Sequence, residues 1–291
     1  MSISLVIPTL DAQTEIGELL KRLLSQTCCP DEIIVVDSAS SDSTVEIASS
    51  FDGVRVIEID RSDFNHGLTR DMAFKESTGD IVCFMTQDAI PADNRYIENL
   101  VNPLLADNRV AISSGRQLPK KDARKFERLV REFNYGPRSN VRSKDDVSVM
   151  GIKAYFATDV CSAYRRSSYF ELGGFGRTDM SEDMLMAAKA VGAGYLVAYA
   201  ADARVYHSHN LTPVEQFHRN YAIGHFLEVN RELIACPSEI GEGGRLVKRV
   251  AKQLIEDRSF VSSGHLALIA LLDLLVIALA VGPQEKKGYS Q

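Results

Sequence analysis

Residues 81 to 88 have the sequence IVCFMTQD, and this stretch decides the fold class. Its first five residues are all apolar, which is typical of a β-strand buried on both faces. Asp88 then lies at the carboxyl end of this strand, where open α/β sheets bind their ligands. A single acid at such a place is also compatible with a solvated loop carboxylate, so its meaning depends on the rest of the chain.

Short apolar runs and amphipathic helices alternate on both sides of this strand. The strand-like runs are Ser4 to Ile7, Ile33 to Val36, Val54 to Ile59, Ile81 to Met85 and Val110 to Ser113. Two helical stripes consist of Ile16, Leu19, Leu20, Leu23 and Leu24, and of Tyr96, Ile97, Leu100, Val101, Leu104 and Leu105. This alternation predicts an α/β fold in which a mostly parallel sheet is flanked by helices, and both stripes are predicted core faces.

The second half of the chain has a less regular pattern. Residues 120 to 150 are rich in charge and predict helices and a mobile loop over the sheet edge, with a solvated face as the alternative. Further strands are predicted at Tyr155 to Asp159, Tyr195 to Tyr199 and Arg204 to His207, and helices at Met184 to Val191, from Pro213 onward and through Leu246 to Ile255. We therefore expect a main domain at residues 1–210 and a C-terminal helical appendage at residues 211–291.

Composition limits the function. With 291 residues, of which 45% are hydrophobic, the chain can bury a full core. A net charge of -6 argues against nucleic acid as a partner, because nucleic-acid-binding proteins usually carry a basic face. The five cysteines form no C-x-x-C pair, which favours reduced thiols, and residues 1–5 lack the pattern of a signal peptide. A cytoplasmic location is the expectation.

An apolar run near the end of the chain raises the question of membrane contact. Residues Leu266 to Val281 are apolar except for Asp273, so the run is short for a membrane span and has an acid near its middle. The preferred prediction is a core helix or a helix on the membrane surface, with Lys286 and Lys287 able to contact anionic lipid. A transmembrane helix is the alternative.

Polar residues at the ends of the first two strands are candidates for binding a nucleobase. Pro8 and Thr9 end the first strand, and Asp37 and Ser38 end the second. A fixed carboxylate at Asp37 can accept the imino N–H of uracil or thymine and would reject a base that lacks this donor. The alternative for Asp37 is an Asx turn that opens the next loop.

Asp88, His207 and His209 are candidates for binding a divalent cation. If the ligand of these strand ends is a nucleoside diphosphate, its phosphates lie beside several carboxylates and require positive charge nearby. Asp88 offers an oxygen ligand for Mg²⁺ or Mn²⁺, which could supply that charge. His207 and His209 are alternate residues at a strand end, so both face the same side and one could complete the site. A buried structural histidine is the alternative for each.

Residues 64 to 70, with the sequence FNHGLTR, are candidates for binding a phosphate. His66 and Gly67 open a helix whose next turn carries Arg70, so backbone N–H groups and a guanidinium could both address the phosphate. The alternative is an ordinary helix start followed by a surface arginine.

Taken together and in this order, these motifs resemble the family 2 inverting glycosyltransferases, which have the Rossmann-like GT-A fold. The resemblance also rests on residues 172–176, LGGFG, followed by Glu182 and Asp183. It implies that Asp183 is the catalytic base, with Glu182 as its neighbour or second candidate, and that Asp37 is the nucleoside-binding acid. The alternative for Glu182 and Asp183 is that these acids cap the N-terminus of the following helix. The family's usual Asp-x-Asp motif is altered here, because Thr86 takes the first position and only Asp88 remains.

At a finer level, the HGLTR and TQDA strings, with His66, Gly67, Arg70 and Gln87, resemble bacterial rhamnosyltransferases. This resemblance implies dTDP-β-L-rhamnose as the nucleotide-sugar donor and a cell-surface or lipid-linked glycan as the acceptor. Three alternatives remain at this point: transfer of another hexose from a UDP-sugar, a nucleotidyltransferase, and a degenerate GT-A domain that binds sugar nucleotide without turnover. The nucleotidyltransferase is disfavoured because residues 8–12 lack a Gly-rich basic signature.

Overall fold

A computed structural model describes residues 1–234 of the chain. The predicted helix at residues 246–255, the apolar run at residues 266–281 and the two lysines that follow it lie outside the described residues. Within residues 1–234, no helix is long and apolar enough to cross a membrane.

The described part of the chain forms one nine-stranded sheet. In chain order the strands are β1 (Ile3–Thr9), β2 (Glu32–Asp37), β3 (Val54–Glu58), β4 (Ile81–Met85), β5 (Ile90–Pro91), β6 (Val110–Leu118), β7 (Asn140–Arg142), β8 (Cys161–Arg165) and β9 (Leu196–Tyr206). The order across the sheet is β3-β2-β1-β4-β8-β6-β9-β5, and β7 also pairs with β9. β1 to β4 are parallel, and because β8 is antiparallel to both β4 and β6, β6 and β9 run in the same direction as β4. The predicted mostly parallel α/β sheet is confirmed.

Helices cover both faces of this sheet. They are α1 (Ile16–Leu24), α2 (Thr44–Ser49), α3 (His66–Glu76), α4 (Tyr96–Ala106), α5 (Lys125–Asn134), α6 (Val147–Met150), α7 (Arg166–Glu171), α8 (Glu182–Gly192) and α9 (Pro213–Val229). Because strand residues alternate between faces, Ile81 and Cys83 of β4 pack in the core with α1 and α4, while Val82 and Phe84 pack with α3 and α8.

The two predicted helical stripes are buried except at their last residues. Ile16 and Tyr96 are fully buried, whereas Leu24 is 37% and Leu105 is 51% exposed. The prediction of a core face was wrong at these two positions. Each is the last residue of its stripe, at or next to the last residue of its helix.

Three strand predictions in the second half also differ from the structure. Residues Tyr155 to Asp159 are not a strand, because a 3₁₀ turn (Gly151–Tyr155) leads into an irregular segment before β8. The two strands predicted at residues 195–199 and 204–207 are one strand, β9, which stays paired with β6 across a bulge at residues 201–203. Residues 200–203 have the sequence AADA, and because alanine and aspartate are poor strand formers, this composition gave no sign that the strand continues.

Candidate functional site

The carboxyl ends of β1, β2 and β4 lie side by side and form one wall of a cavity. Thr9 and Asp37, the last residues of β1 and β2, are partners in the sheet register. The loops that follow are bonded to each other, because the Ala12 N–H donates to Thr44 Oγ1 at 2.7 Å and the Asp11 N–H to Ser40 Oγ at 2.8 Å. The wall is therefore a fixed surface.

The cavity has a volume of about 350 Å³, within the roughly 300–1,000 Å³ of small-molecule sites. Its lining consists of Pro8, Thr9, Leu10, Ser38, Arg61, Phe64, His66, Arg70, Thr86 and Gln87. Six of the eight residues predicted to bind the nucleotide are in this lining, and Asp37 and Gly67 are not. Phe64 and Thr86 lie within the quoted FNHGLTR and TQDA strings but were not named as binding residues. Leu10 and Arg61 were missed because they belong to no motif.

Asp37 is fully buried behind the cavity wall. Its carboxylate accepts hydrogen bonds from Thr9 Oγ1 at 3.0 Å, from Ser40 Oγ at 2.6 Å and from the Ser40 N–H at 2.8 Å. The bond from the Ser40 N–H is a local side-chain-to-backbone bond like the Asx turn that the sequence offered as an alternative, but it spans three residues instead of two. Together the bonds hold Thr9 and the loop after β2 in place.

Gln87 holds the loop that follows β1. Its amide group accepts a bond from the Leu10 N–H at 2.8 Å and donates one to the Leu10 carbonyl at 3.0 Å. One face of the cavity is thereby tied to the end of β4.

The start of α3 explains why a glycine follows His66. A Cβ added at Gly67 would lie 2.0 Å from the Gly176 carbonyl oxygen, so only glycine fits there. The Gly67 N–H donates to the Thr178 carbonyl at 3.2 Å, and Asn65 caps the helix by accepting from the Leu68 N–H. Gly67 therefore docks α3 against the segment that leads to α8, and His66 remains in the cavity wall.

Arg70 points from the cavity into a buried acidic cluster, which we define as Arg70, Asp159, Glu182 and Asp183. Its guanidinium lies 3.0 Å from Glu182 Oε1 and 3.7 Å from Asp159 Oδ2, and all three side chains are almost fully buried. Among the described residues, Arg70 Nε and Asp159 Oδ2 have no hydrogen-bond partner. One guanidinium thus faces several carboxylates.

Asp183 lies in the first turn of α8 and is held at both carboxylate oxygens. Oδ1 accepts from the Met184 N–H at 2.7 Å and Oδ2 from the Asp159 N–H at 3.1 Å. The side chain keeps some exposed surface, but the surrounding protein and the charges of Glu182 and Asp159 raise its pKa well above the ordinary value. A carboxylate with a raised pKa is a stronger base near neutral pH.

Asp159 was not predicted as part of a site, because it lies in an irregular segment that the sequence analysis assigned to a strand. Its Oδ1 accepts from Ser162 Oγ at 2.6 Å and from Tyr164 O–H at 2.7 Å. Burial raises its pKa to about 6; Arg70 opposes this rise and Glu182 adds to it.

The segment before Glu182 has an unusual backbone. Gly173 and Gly174 both have positive φ angles of 78° and 66°, which glycine adopts without strain, and they end α7. Phe175 then packs against Phe84 with ring centroids 5.7 Å apart. Ser181 has φ 58°, a rare conformation for a residue with a side chain, directly before Glu182.

The three predicted cation ligands, which we call the cation cluster (Asp88, His207, His209), come together at the sheet edge. β5 follows Asp88 directly and pairs with the end of β9, with Ile90 opposite Tyr206. This pairing places Asp88 Oδ2 at 3.3 Å from His207 Nε2 and 3.6 Å from His209 Nε2. One ligand atom from each of the three residues lies within 4.8 Å of the others.

The charges around Asp88 favour its ionised form. Burial raises its pKa, but the hydrogen bond from His207 and the charges of His207, His209 and Lys120 outweigh this and hold the pKa far below the ordinary range. Lys120 Nζ, a residue that sequence reasoning missed, lies 3.7 Å from Asp88 Oδ2. Burial lowers the pKa values of His207 and His209, which favours the neutral imidazoles that bind metal ions.

Comparison with known proteins gives a consistent result. Residues 4–173 match the family model described as Glycosyl transferase family 2. The chain is 43% identical over 270 residues to the O-antigen chain rhamnosyltransferase RfbN of Salmonella typhimurium, covering 89% of this chain and 83% of the relative. It is 40% identical over 266 residues to the O-antigen chain rhamnosyltransferase WbaN of Salmonella anatum, with the same two coverages.

Solved structures share the fold at low identity. The mannosyltransferase PcManGT from Pyrobaculum calidifontis, in complex with GDP-Man and Mn²⁺, has a TM-score of 0.62 and 17% identity, covering 94% of this chain and 86% of that one. Glucosyl-3-phosphoglycerate synthase from Mycobacterium tuberculosis, with Mn²⁺, UDP-Glc and phosphoglyceric acid, has a TM-score of 0.54 and 17% identity, covering 82% and 81%. These neighbours confirm the predicted GT-A fold.

Proposed function

The chain belongs to glycosyl transferase family 2 and is a glycosyltransferase, and on this premise we propose that it transfers L-rhamnose from dTDP-β-L-rhamnose to a cell-surface or lipid-linked glycan. The observation that carries the choice of sugar is the identity of 43% and 40%, over 89% of this chain, to two O-antigen chain rhamnosyltransferases. The same relatives favour a growing polysaccharide as the acceptor.

Asp183 is the proposed catalytic base. In an inverting transfer the acceptor hydroxyl oxygen bonds to the anomeric carbon while the bond from that carbon to the diphosphate breaks, and a base takes the hydroxyl proton. The two N–H groups that hold Asp183 fix the orientation of its carboxylate, and its raised pKa suits it to accept this proton. Glu182 is the weaker candidate because it is buried and paired with Arg70.

The cavity at the strand ends is the proposed donor site. Pro8, Thr9 and Ser38 form the wall for a pyrimidine base, and the buried Asp37 keeps this wall in place. His66 and Arg70 are also part of the lining and are the proposed contacts of the diphosphate, although the Arg70 guanidinium is at the same time paired with Glu182. Among the described residues the Thr86 hydroxyl is buried without a hydrogen-bond partner, which makes it available to the donor.

The cation cluster is the proposed site of a divalent cation, and its donor atoms fit one. A carboxylate oxygen and two imidazole nitrogens favour Mn²⁺ over Mg²⁺, because Mg²⁺ prefers oxygen ligands. When bound, the ion would neutralise negative charge on the diphosphate. Asp88 is the common partner of both histidines and would hold the ion from the protein side.

We further propose that residues 1–210 carry the donor site and the base, and that the apolar run at residues 266–281 contacts the cytoplasmic face of the membrane near a lipid-linked acceptor. Sugar nucleotides are charged and water-soluble, so the donor site must face an aqueous compartment, which we propose is the cytoplasm.

Turnover with a panel of donors tests the function. Purified protein with Mn²⁺ and a rhamnose-terminated or lipid-linked acceptor should release nucleotide faster from dTDP-β-L-rhamnose than from UDP-glucose, UDP-GlcNAc or UDP-galactose. The product should contain an α-linked rhamnose, because the transfer inverts the β configuration that the anomeric carbon has in the donor. Faster release of nucleotide from any UDP-hexose would overturn the sugar assignment. The rate measured with Asp183→Asn is subtracted to correct for hydrolysis of the donor.

A further inference from the structure

We propose that Gln117 is a positioning residue that fixes His207 in the tautomer able to bind a cation, and that Arg131 fixes Gln117 in turn. The proposal rests on the proposed cation site and concerns two residues that form no part of a recognised motif. Gln117 lies near the end of β6 and Arg131 lies on α5.

Gln117 lies directly behind His207. Its Oε1 is 2.8 Å from His207 Nδ1, on the side of the imidazole ring opposite the nitrogen that faces Asp88. Its Nε2 donates to Thr158 Oγ1 at 2.9 Å. Only 2% of the Gln117 surface is exposed, so water does not compete for these bonds.

The orientation of the Gln117 amide follows from its partners. The Arg131 guanidinium donates to Gln117 Oε1 and, at 2.6 Å, to Glu127 Oε1. Arginine has no acceptor atom, so the amide atom that faces it must be oxygen. The opposite orientation would direct two donors at each other in a buried place.

The tautomer of His207 follows from the orientation of Gln117. Because Oε1 can only accept, Nδ1 must carry the proton that is donated to it. In the neutral ring this leaves the lone pair of Nε2 facing Asp88 Oδ2 across 3.3 Å. Two acceptors that face each other repel unless a metal ion or a second proton, which makes the charged imidazolium, lies between them. In the neutral ring the chain Arg131–Gln117–His207 therefore leaves Nε2 free to bind a metal ion.

Mn²⁺ affinity, measured by the electron paramagnetic resonance signal of free Mn²⁺ without nucleotide, tests the proposal. The wild-type chain should bind Mn²⁺ at a site that Asp88→Ala abolishes. Gln117→Met, which keeps size but removes the acceptor, should weaken this binding by about 10- to 100-fold, the usual effect of removing the partner behind a metal-binding histidine. Gln117→Glu restores an acceptor oxygen and should restore affinity to near the wild-type value.

Gln26 provides a matched control. It is also a buried glutamine, 7% exposed, and its amide makes three hydrogen bonds, to the Arg22 and Asp93 carbonyls and from the Ile97 N–H. Gln26→Met should lower thermal stability while leaving Mn²⁺ affinity unchanged. This separates a positioning role from the general cost of losing a buried amide.

Nitrogen NMR of ¹⁵N-histidine-labelled protein without metal gives a second readout. His207, assigned with His207→Gln, should carry its proton on Nδ1 in the wild type and lose this preference in Gln117→Met. The proposal would be overturned if the neutral His207 ring of the wild type carried its proton on Nε2. It would also be overturned by an unchanged Mn²⁺ affinity in Gln117→Met, or by equal losses of Mn²⁺ affinity in Gln117→Met and Gln117→Glu. If the wild type binds no Mn²⁺ that depends on Asp88, the proposed cation site fails first, and the NMR result still decides the tautomer.

Discussion

The cation cluster and the buried acidic cluster use the same kind of side chain for opposite purposes. Asp88 is faced by two imidazoles and Lys120, and its pKa is held far below the ordinary range. Asp159 and Glu182 share one guanidinium, and the pKa values of Asp159 and of the neighbouring Asp183 are raised by burial and by like charges. One cluster therefore keeps a permanent negative charge, and the other is suited to take up a proton.

The difference shows that the neighbours of a carboxylate, more than its residue type, set its role. The residues of the cation cluster follow the ends of two strands that are distant in sequence, β4 for Asp88 and β9 for the two histidines. Groups that can carry positive charge surround one acid there. In the buried cluster two acids, Asp159 and Glu182, are paired with Arg70, and Asp183 lies beside them. The two regions should therefore respond differently to substitution and to pH.

The largest expected effect follows from Asp183→Asn. The amide keeps the shape but cannot take the acceptor proton, so transfer should fall by about 10²- to 10⁴-fold while dTDP binding stays near the wild-type value. Rates of nucleotide release and dTDP titrations measure the two quantities. Glu182→Gln should lower transfer less, and exposed Glu171→Gln should not change it. Wild-type turnover in Asp183→Asn would remove Asp183 from the role of base.

Arg70→Met should have the next largest effect, on stability. The substitution leaves Asp159 and Glu182 buried without a cation, which typically costs about 3–5 kcal/mol of unfolding free energy. Urea unfolding measures this cost. The matched control is Arg55→Met, which breaks an exposed pair with Glu76 and should cost about 0–1 kcal/mol. Similar costs for both would mean that the buried cluster does not depend on Arg70.

Asp88→Ala should act through the cation. In the presence of Mn²⁺, the affinity for dTDP should fall by more than the roughly 10- to 100-fold expected when a residue that only supports a metal ligand is substituted. In EDTA the affinity for dTDP should change little. Isothermal titration under both conditions measures this difference. The control is Asp93→Ala, which removes a partner of Arg204 near the same sheet edge. It should leave the affinity for dTDP unchanged both in Mn²⁺ and in EDTA. Equal losses with and without Mn²⁺ would show that Asp88 acts structurally.

The smallest expected effect is a shift in pH dependence. Asp183 must be ionised to act as a base, and because its folded-state pKa is raised, kcat/KM should fall on the acid side at a pH above the usual carboxylate range. Asp159→Asn removes a like charge, so this acid limb should move to lower pH. Repeating the pH profile at several Mn²⁺ concentrations identifies the titrating group, because an acid limb caused by His207 or His209 would shift with the Mn²⁺ concentration. The assignment to Asp183 is contradicted if the acid limb shifts with Mn²⁺ and stays at the same pH in Asp159→Asn.

The sequence predicted the sheet edge better than it predicted the interior of the site. Asp88 and His207 were correctly predicted to lie together at the sheet edge, because each lies at the end of a predicted strand and the carboxyl ends of parallel strands meet there. Asp159 was missed because it lies in an irregular segment, where no periodicity marks burial. Its partner Arg70 was expected to bind phosphate, and no local pattern indicates that its guanidinium also reaches two buried acids.

Gln117 was missed for a different reason. The prediction ended the strand at Ser113, because the next residues are small or polar, whereas β6 continues to Leu118. Ser113, Ser114 and Gln117 are at most 2% exposed, so polar residues here are fully inside the protein. Their burial depends on the pairing of β6 with β8 and β9, which is a long-range property that hydrophobic periodicity does not report.

Thr158 and Asp159 are consecutive residues that belong to different clusters: Thr158 bonds to Gln117 behind the cation cluster, and the Asp159 N–H bonds to Asp183. Their Cα atoms are about 3.8 Å apart across one peptide unit, a length set by covalent geometry. One peptide unit of fixed length therefore links the residue behind the proposed cation site to the residue that holds the proposed base.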